Sequence, residues 1–218
     1  MAKSLLPLFL FLLLAFFPSS AQDVPITYRD IEVRIVLRED SSAIVSYEFT
    51  LENRASVPVV PGYGYFNMSS GRIIDARAEV MEKRAEVIFE DKYARYSIWE
   101  VIKPGGSIKV KLNFTVSGFL SKGVLFDEFD ATLGPFSYPI ERGSLEVIPE
   151  SGLHLVYLQK GELNSLEPGE SVRVRGEVSR LPLPMLPFSW YPILWGTVIL
   201  SLALALSLSM KERCLIEG

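Results

Sequence analysis

Apolar and polar residues alternate with a period of two along most of this chain. Ile31, Val33, Ile35 and Leu37 are separated by Glu32, Arg34 and Val36. After a polar turn at Glu39-Asp40-Ser41, Ala43, Val45, Tyr47, Phe49 and Leu51 are spaced by residues that include Ser46, Glu48 and Thr50. Successive side chains of a strand point to opposite sides, so two such runs joined by a short turn predict a hairpin with one buried face. Ile74, Ala76, Ala78 and Val80 form a further alternating face, as do Ala85, Val87 and Phe89. Tyr93 to Trp99 is aromatic enough for a strand. The clearest run has Ile108, Val110, Leu112, Phe114 and Val116 alternating with Lys109, Lys111, Asn113 and Thr115.

From Ser117 to Gly143 the pattern loosens, with Gly118, Gly123, Gly134, Pro135 and Pro139 interrupting it. Strands resume at Ser144–Ile148, Leu153–Leu158 and Ser171–Val178. Many short strands with frequent turns, and no sustained helical period between the two ends of the chain, predict an all-β, antiparallel β-sandwich. An internal echo bears on its organisation: Ile102-Lys-Pro-Gly-Gly-Ser-Ile-Lys-Val-Lys111 is matched by Leu166-Glu-Pro-Gly-Glu-Ser-Val-Arg-Val-Arg175. In both, Pro presets φ and Gly supplies a positive φ in a turn that launches an alternating strand. Strands launched from Pro-Gly turns resemble exported immunoglobulin-like modules, and that resemblance implies an immunoglobulin-like sandwich. Two organisations remain open: a sandwich unit over 22–118 followed by a second, smaller β-unit over 119–180, or one sandwich continuing through both.

The two ends of the chain break the alternation. Lys3, the apolar run from Leu5 to Phe17, and small residues at Ser19 and Ala21 have the form of a secretory signal peptide over 1–21. Near the other end, Ile193–Met210 is 18 residues with no charge, nine of them Leu, Ile or Val. As a helix it rises about 27 Å, close to a bilayer's hydrocarbon core of about 30 Å. Those nine residues favour insertion by about 3–5 kcal/mol. Lys211 and Arg213 follow directly, so the positive-inside rule puts 211–218 in the cytoplasm and the β-region outside it. Between them, 181–192 carries Pro182, Pro184, Pro187 and Pro192, an extended and semi-rigid stalk. The expected localisation is a single-pass membrane protein of type I topology.

Composition narrows the chemistry. The net charge is −4 with both signs interspersed, which leaves no basic footprint for nucleic acid. The one cysteine, Cys214, falls in the expected tail, so the exported part has no disulfide to rely on. Few Asn and Gln beside many Glu, Lys and Arg is the balance of a thermophile. His154 is the only histidine and sits in an alternating run, on the solvent face of a strand, so neither a histidine-based triad nor a multi-histidine metal site is expected.

Four sets of residues are candidates for function. Tyr63, Tyr65 and Phe66, read as a Gly-rich loop, suit a protein hot spot or sugar stacking. Asn67-Met-Ser69 and Asn113-Phe-Thr115 are glycosylation acceptor sequences. Thr197, Ser201, Ala205 and Ser209 recur every four residues, a spacing of small side chains that lets another helix approach. Asp127, Glu128 and Asp130 are the weak candidates for a hard cation, although their spacing does not match a twelve-residue calcium loop. The sequence therefore predicts a non-catalytic protein without cofactor, a binding or accessory subunit of a membrane or cell-envelope complex, with another membrane or envelope protein as partner. The alternatives are a membrane-tethered hydrolase or glycan-active protein using paired carboxylates, and a structural glycosylated surface protein.

Overall fold

The computed structural model describes residues 25–216, with side chains of the C-terminal helix described to Ser207. In chain order the strands are β1 (Ile26–Leu37), β2 (Ala43–Asn53), β3 (Gly62–Asn67), β4 (Arg72–Val80), β5 (Lys83–Ala85) and β6 (Val87–Glu90). They continue with β7 (Tyr93–Ile98), β8 (Ser107–Ser117), β9 (Asp127–Leu133), β10 (Ile140–Pro149), β11 (His154–Lys160) and β12 (Val172–Ser179), before the helix α1 (Tyr191–Ile216). The protein is mostly β-sheet, as the alternation predicts.

Six strands form one sheet in the order β10-β1-β2-β8-β4-β5. Its alternation is that of the sequence: Val33, Val45, Val110 and Phe114 face inward, while Glu32, Ser46, Lys109 and Lys111 face water. Opposite it lie two three-stranded sheets, β3-β7-β6 and β11-β12-β9. They touch each other through a single antiparallel bridge between Met68 and Leu133, backed by a hydrogen bond from the Thr132 amide to Ser69 Oγ at 2.7 Å. Phe66 of β3 stacks on Phe114 of β8 with centroids 4.2 Å apart, and Phe119 stacks on Phe129 of β9 at 5.8 Å. The buried side chains of all three sheets form one cluster. Sheet and core thus draw on both the 22–118 and the 119–180 segments, since β10 sits at the edge of the six-stranded sheet beside β1.

That pairing corrects the expectation of antiparallel strands throughout, because β1 and β10 run parallel, with Val33 opposite Leu145. Parallel neighbours need a long crossover, and the chain between β1 and β10 supplies it. A second correction concerns β4. The buried residue is Ile73, and Ile74 is exposed, because the register with β8 shifts between Ile73 and Asp75. A one-residue slip moves side chains to the other face, and no period in the sequence marks the bulge. The third concerns 83–90, which reads as one alternating run. It is divided at Glu86: β5 stays with β4, and β6 joins the opposite layer beside β7.

Polar groups secure the turns. Asn53 is fully buried; its Nδ2 donates to the carbonyls of Val57 and Ile102, both at 2.8 Å, and its Oδ1 accepts from the Ala55 amide at 2.9 Å. Gly105 and Gly169 take positive φ after Pro104 and Pro168, as the echo requires. The echoed strands nevertheless lie in different layers, β8 inside the six-stranded sheet and β12 at the centre of a three-stranded one.

Tyr63, Tyr65 and Phe66 lie on a strand and not on a flexible loop, and Gly64 explains why. A Cβ at Gly64 would fall within the ring of buried Tyr96 on β7. The glycine lets Tyr96 lie against the β3 backbone, a close approach that a strand glycine permits. Gly64→Ala is therefore expected to cost about 1–3 kcal/mol through overpacking, read as a lower urea midpoint with unchanged slope.

Candidate functional site

The outer face of β3-β7-β6 carries what the sequence separates by some thirty residues. Strand alternation turns Tyr63 and Tyr65 outward from β3, and Tyr93, Arg95 and Ser97 outward from β7, while Phe66, Ala94, Tyr96 and Ile98 turn into the core. The register sets Tyr65 opposite Arg95 and Tyr63 opposite Ser97, and Ile88 of β6 flanks Arg95 on the other side. Trp99, one residue beyond β7, meets Tyr63 edge to face at 5.0 Å, and Tyr65 lies 6.0 Å from Tyr93. The Arg95 guanidinium carbon sits 4.6 Å from the Tyr63 ring centre, within cation–π range. Trp99, Tyr65 and Tyr93 are exposed despite their size. The result is an open aromatic face built around one cation.

Phe66 is not part of it. It is only 6% exposed, and it packs between Tyr47 and Phe114. An odd–even count along β3 separates it from Tyr63 and Tyr65, whereas a loop reading groups all three. Tyr93, Arg95 and Trp99 join the face only in the folded sheet. Their signal is the alternation of Tyr93-Ala-Arg-Tyr-Ser-Ile-Trp99, but pairing that run with β3 needs the sheet.

Both acceptor asparagines are exposed. Asn67 lies opposite Tyr93 at the end of β3, so a glycan there would stand at the edge of the aromatic face. Asn113 lies on the polar face of the six-stranded sheet and its Oδ1 accepts from Ser46 Oγ at 2.8 Å. Among the described residues no group of His, Cys, Asp and Glu could hold a metal ion. Asp127, Glu128 and Asp130 belong to β9 and not to a loop, so Asp127 is turned to the face opposite Glu128 and Asp130. Asp127 accepts from the Gly123 amide at 3.1 Å. Arg173 grips Asp130, with Nε at 2.8 Å, and holds that carboxyl below its ordinary range. His154 is exposed at the start of β11.

Carboxylates also gather on the polar face of the six-stranded sheet, in a shallow groove of about 440 Å³ lined by Asp30, Glu32, Glu48, Lys109 and Arg142, among others. Glu32 stands opposite Glu48, but every acid there has a cation. Asp30 pairs with Arg142 at 3.0 Å and Glu32 with Arg34 at 3.1 Å. Glu48 is held by Lys109 and by Lys111, whose hydrogen bonds lower its pKa.

The segment before α1 is hydrogen-bonded to the β-region. The Leu186 amide donates to the Val156 carbonyl at 2.8 Å, which sets Leu186 alongside β11. The Trp190 amide donates to Glu177 Oε2 at 2.9 Å, and this is the partner of a carboxylate only 2% exposed. Tyr191 Oη donates to the Phe126 carbonyl at 3.0 Å, and Phe126 stacks on Trp190 at 5.9 Å. Within α1, Thr197 and Ser201 donate to the carbonyls of Leu194 and Thr197, at 2.7 and 2.8 Å. These two hydroxyls, and Ala205, are exposed along the helix; the Ser209 side chain lies outside the described residues. Among the described residues no helix is long and apolar enough to cross a membrane. The described side chains of α1 end at Ser207, short of the Met210 limit of the expected span. The expected signal peptide over 1–21 also lies outside the described residues.

No protein-family model matches the chain, and no curated protein matches it in sequence. Among solved structures it is similar to an M1 zinc metallopeptidase from Deinococcus radiodurans, at 9% identity and a TM-score of 0.42, over 74% of this chain and 40% of that one. It is also similar to native yeast LTA4 hydrolase, at 10% identity and a TM-score of 0.38, over 73% and 27% of the two chains. The chain thus spans less than half of either structure. Likeness at this level establishes neither a shared fold nor a shared activity.

Proposed function

We propose that the chain is a single-pass membrane protein whose exported β-sandwich binds a partner, as an accessory subunit of a membrane or cell-envelope complex. The observation that carries this reading is the exposed face of Tyr63, Tyr65, Tyr93 and Trp99 around Arg95. Aromatic rings and arginine bring large, rigid contact area at low entropic cost, and they dominate the energetics of protein interfaces. The uncharged run of 193–210, followed by Lys211 and Arg213, supports the anchor. Thr197, Ser201, Ala205 and Ser209 would form the helix contact, their small side chains allowing close approach. Accessible Asn67 and Asn113 fit a glycan-bearing exported surface.

The test is affinity purification of the intact chain from its own membrane, beside a Tyr65→Ala/Trp99→Ala variant. Both side chains project from the surface, so the variant's stability should change by no more than about 0.5 kcal/mol per site. The expected result is a partner recovered with the native chain and lost with the variant at an unchanged melting temperature. Equal recovery with both would remove the aromatic face from the contact, and a large fall in melting would make it a folding element.

A further inference from the structure

We infer that the loop 121–126 is a second membrane contact, inserting Val124 and Leu125 into the bilayer interface beside the start of α1. The inference rests on the reading of α1 as a membrane anchor. Val124 is 94% exposed and Leu125 is exposed next to it. The loop that carries them is fixed against the first turn of the helix. Tyr191 Oη reaches the Phe126 carbonyl, Phe126 stacks on Trp190, and a Cβ on Gly123 would collide with Tyr191 Oη. Val124 directly follows Gly123, whose added Cβ would lie 2.4 Å from Tyr191 Oη, and one Cα step is about 3.8 Å, so the Val124 backbone lies within about 10 Å of that hydroxyl.

If Tyr191 marks the membrane boundary, that distance keeps the loop tip within the interfacial layer, where an exposed Val-Leu pair is accommodated. The apolar surface does not stop at the loop. Leu181 borders the same depression as Val124 and Leu125, and Met185 and Phe188 are exposed along the stalk that leads to α1. Charge does not supply the attraction. Lys122 and Arg180 border the depression, but Asp127 does too, and Glu128 and Glu177 act on Tyr191 from β9 and β12. Two cations against three acids leave no net pull on anionic lipid, so the contact should be apolar and insensitive to salt. A second anchoring point would fix the tilt of the domain over the bilayer and, through it, the direction in which the aromatic face points.

The full chain with Cys214→Ser is reconstituted into neutral phosphatidylcholine vesicles, carrying a single environment-sensitive fluorophore on V124C, L204C or K103C. Lys103 is exposed and lies before β8, an 11-residue strand, at the end remote from the loop. The expected result is several-fold stronger quenching of the V124C label by spin-labelled lipid than of the K103C label, shielding from iodide, and no change when salt is raised. An aqueous V124C label beside a lipid-quenched L204C label would overturn the loop contact and leave the anchor standing. That outcome would return the apolar loop to a protein partner. If the L204C label is aqueous as well, the anchor and the loop contact both fail. Retention of the β-sheet circular dichroism by V124C is expected, because the side chain touches almost nothing.

Discussion

Phe66→Ala is expected to destabilise the folded domain by about 3–5 kcal/mol, while Tyr65→Ala, on the adjacent residue, should stay within about 0.5 kcal/mol. The contrast follows from strand alternation alone. Phe66 lies inside, its ring parallel to Phe114 at 4.2 Å and edge-on to Tyr47 at 5.0 Å. It is also where the β3-β7-β6 layer meets the centre of the six-stranded sheet. Truncation would remove a whole ring from a packed interior and leave a cavity that β-strands fixed by their ladders cannot close. Tyr65 is 50% exposed and faces water with Tyr93 as its neighbour. Urea unfolding of the two variants decides the matter. Equal losses would mean that β3 does not hold this register, and the outer aromatic face would then have no structural basis.

The same pair shows how far the sequence could be read. Alternation over Ile31–Leu51 and Ile108–Val116 is a local property, and it marked strands and inward faces correctly because each strand there is long and half-buried. Where a strand is short, the information lies in its neighbour. Gly62-Tyr-Gly-Tyr-Phe reads as a loop by composition, because glycine is common in turns. Gly64 is there for a different reason, the ring of Tyr96 more than thirty positions away. The Ile73/Asp75 bulge and the break at Glu86 are likewise set by pairing with β8 and β7, not by residue type.

The echo between 102–111 and 166–175 describes two similar turns and two similar strands, and both turns form. Topology then puts the strands in opposite layers, since a Pro-Gly turn launches a strand without choosing its sheet. The candidate site was half legible for the same reason. Tyr63 and Tyr65 were visible as displayed aromatics, but Arg95 and Trp99 join them only through the β3–β7 register. The acidic run Asp127, Glu128 and Asp130 reads from the sequence as only a weak cation candidate, because its spacing does not match a calcium loop. On an extended strand Asp127 turns to the face opposite Glu128 and Asp130, and of the two that share a face Arg173 claims Asp130.

Raising the pH above about 10 is expected to unfold the domain cooperatively, with stability falling by about 4 kcal/mol per pH unit. Tyr28, Tyr47 and Tyr96 are all buried among Phe49, Phe66 and Phe136. Burial is the largest cause raising each of their pKa values above the ordinary phenol value. Tyr28 adds to the rise of Tyr96, whereas the Tyr47 hydroxyl has no hydrogen-bond partner. The sign follows from proton counting. Below about 10 all three phenols are protonated in both states, so their full contribution to stability is present. Above it the unfolded chain releases three protons that the folded chain retains, and each costs about 1.4 kcal/mol per pH unit until the folded value is passed. A domain stable by about 5–15 kcal/mol would exhaust that margin within about one to four units. Tyrosinate absorbance from these rings should therefore rise together with loss of β-sheet circular dichroism. Full tyrosinate absorbance while the sheet signal persists would show that the phenols ionise in place and are not sealed in the core. Tyr47→Phe provides the internal control. It removes the phenol whose oxygen has no partner, so stability at neutral pH should hold or rise, and the alkaline slope should fall by about a third.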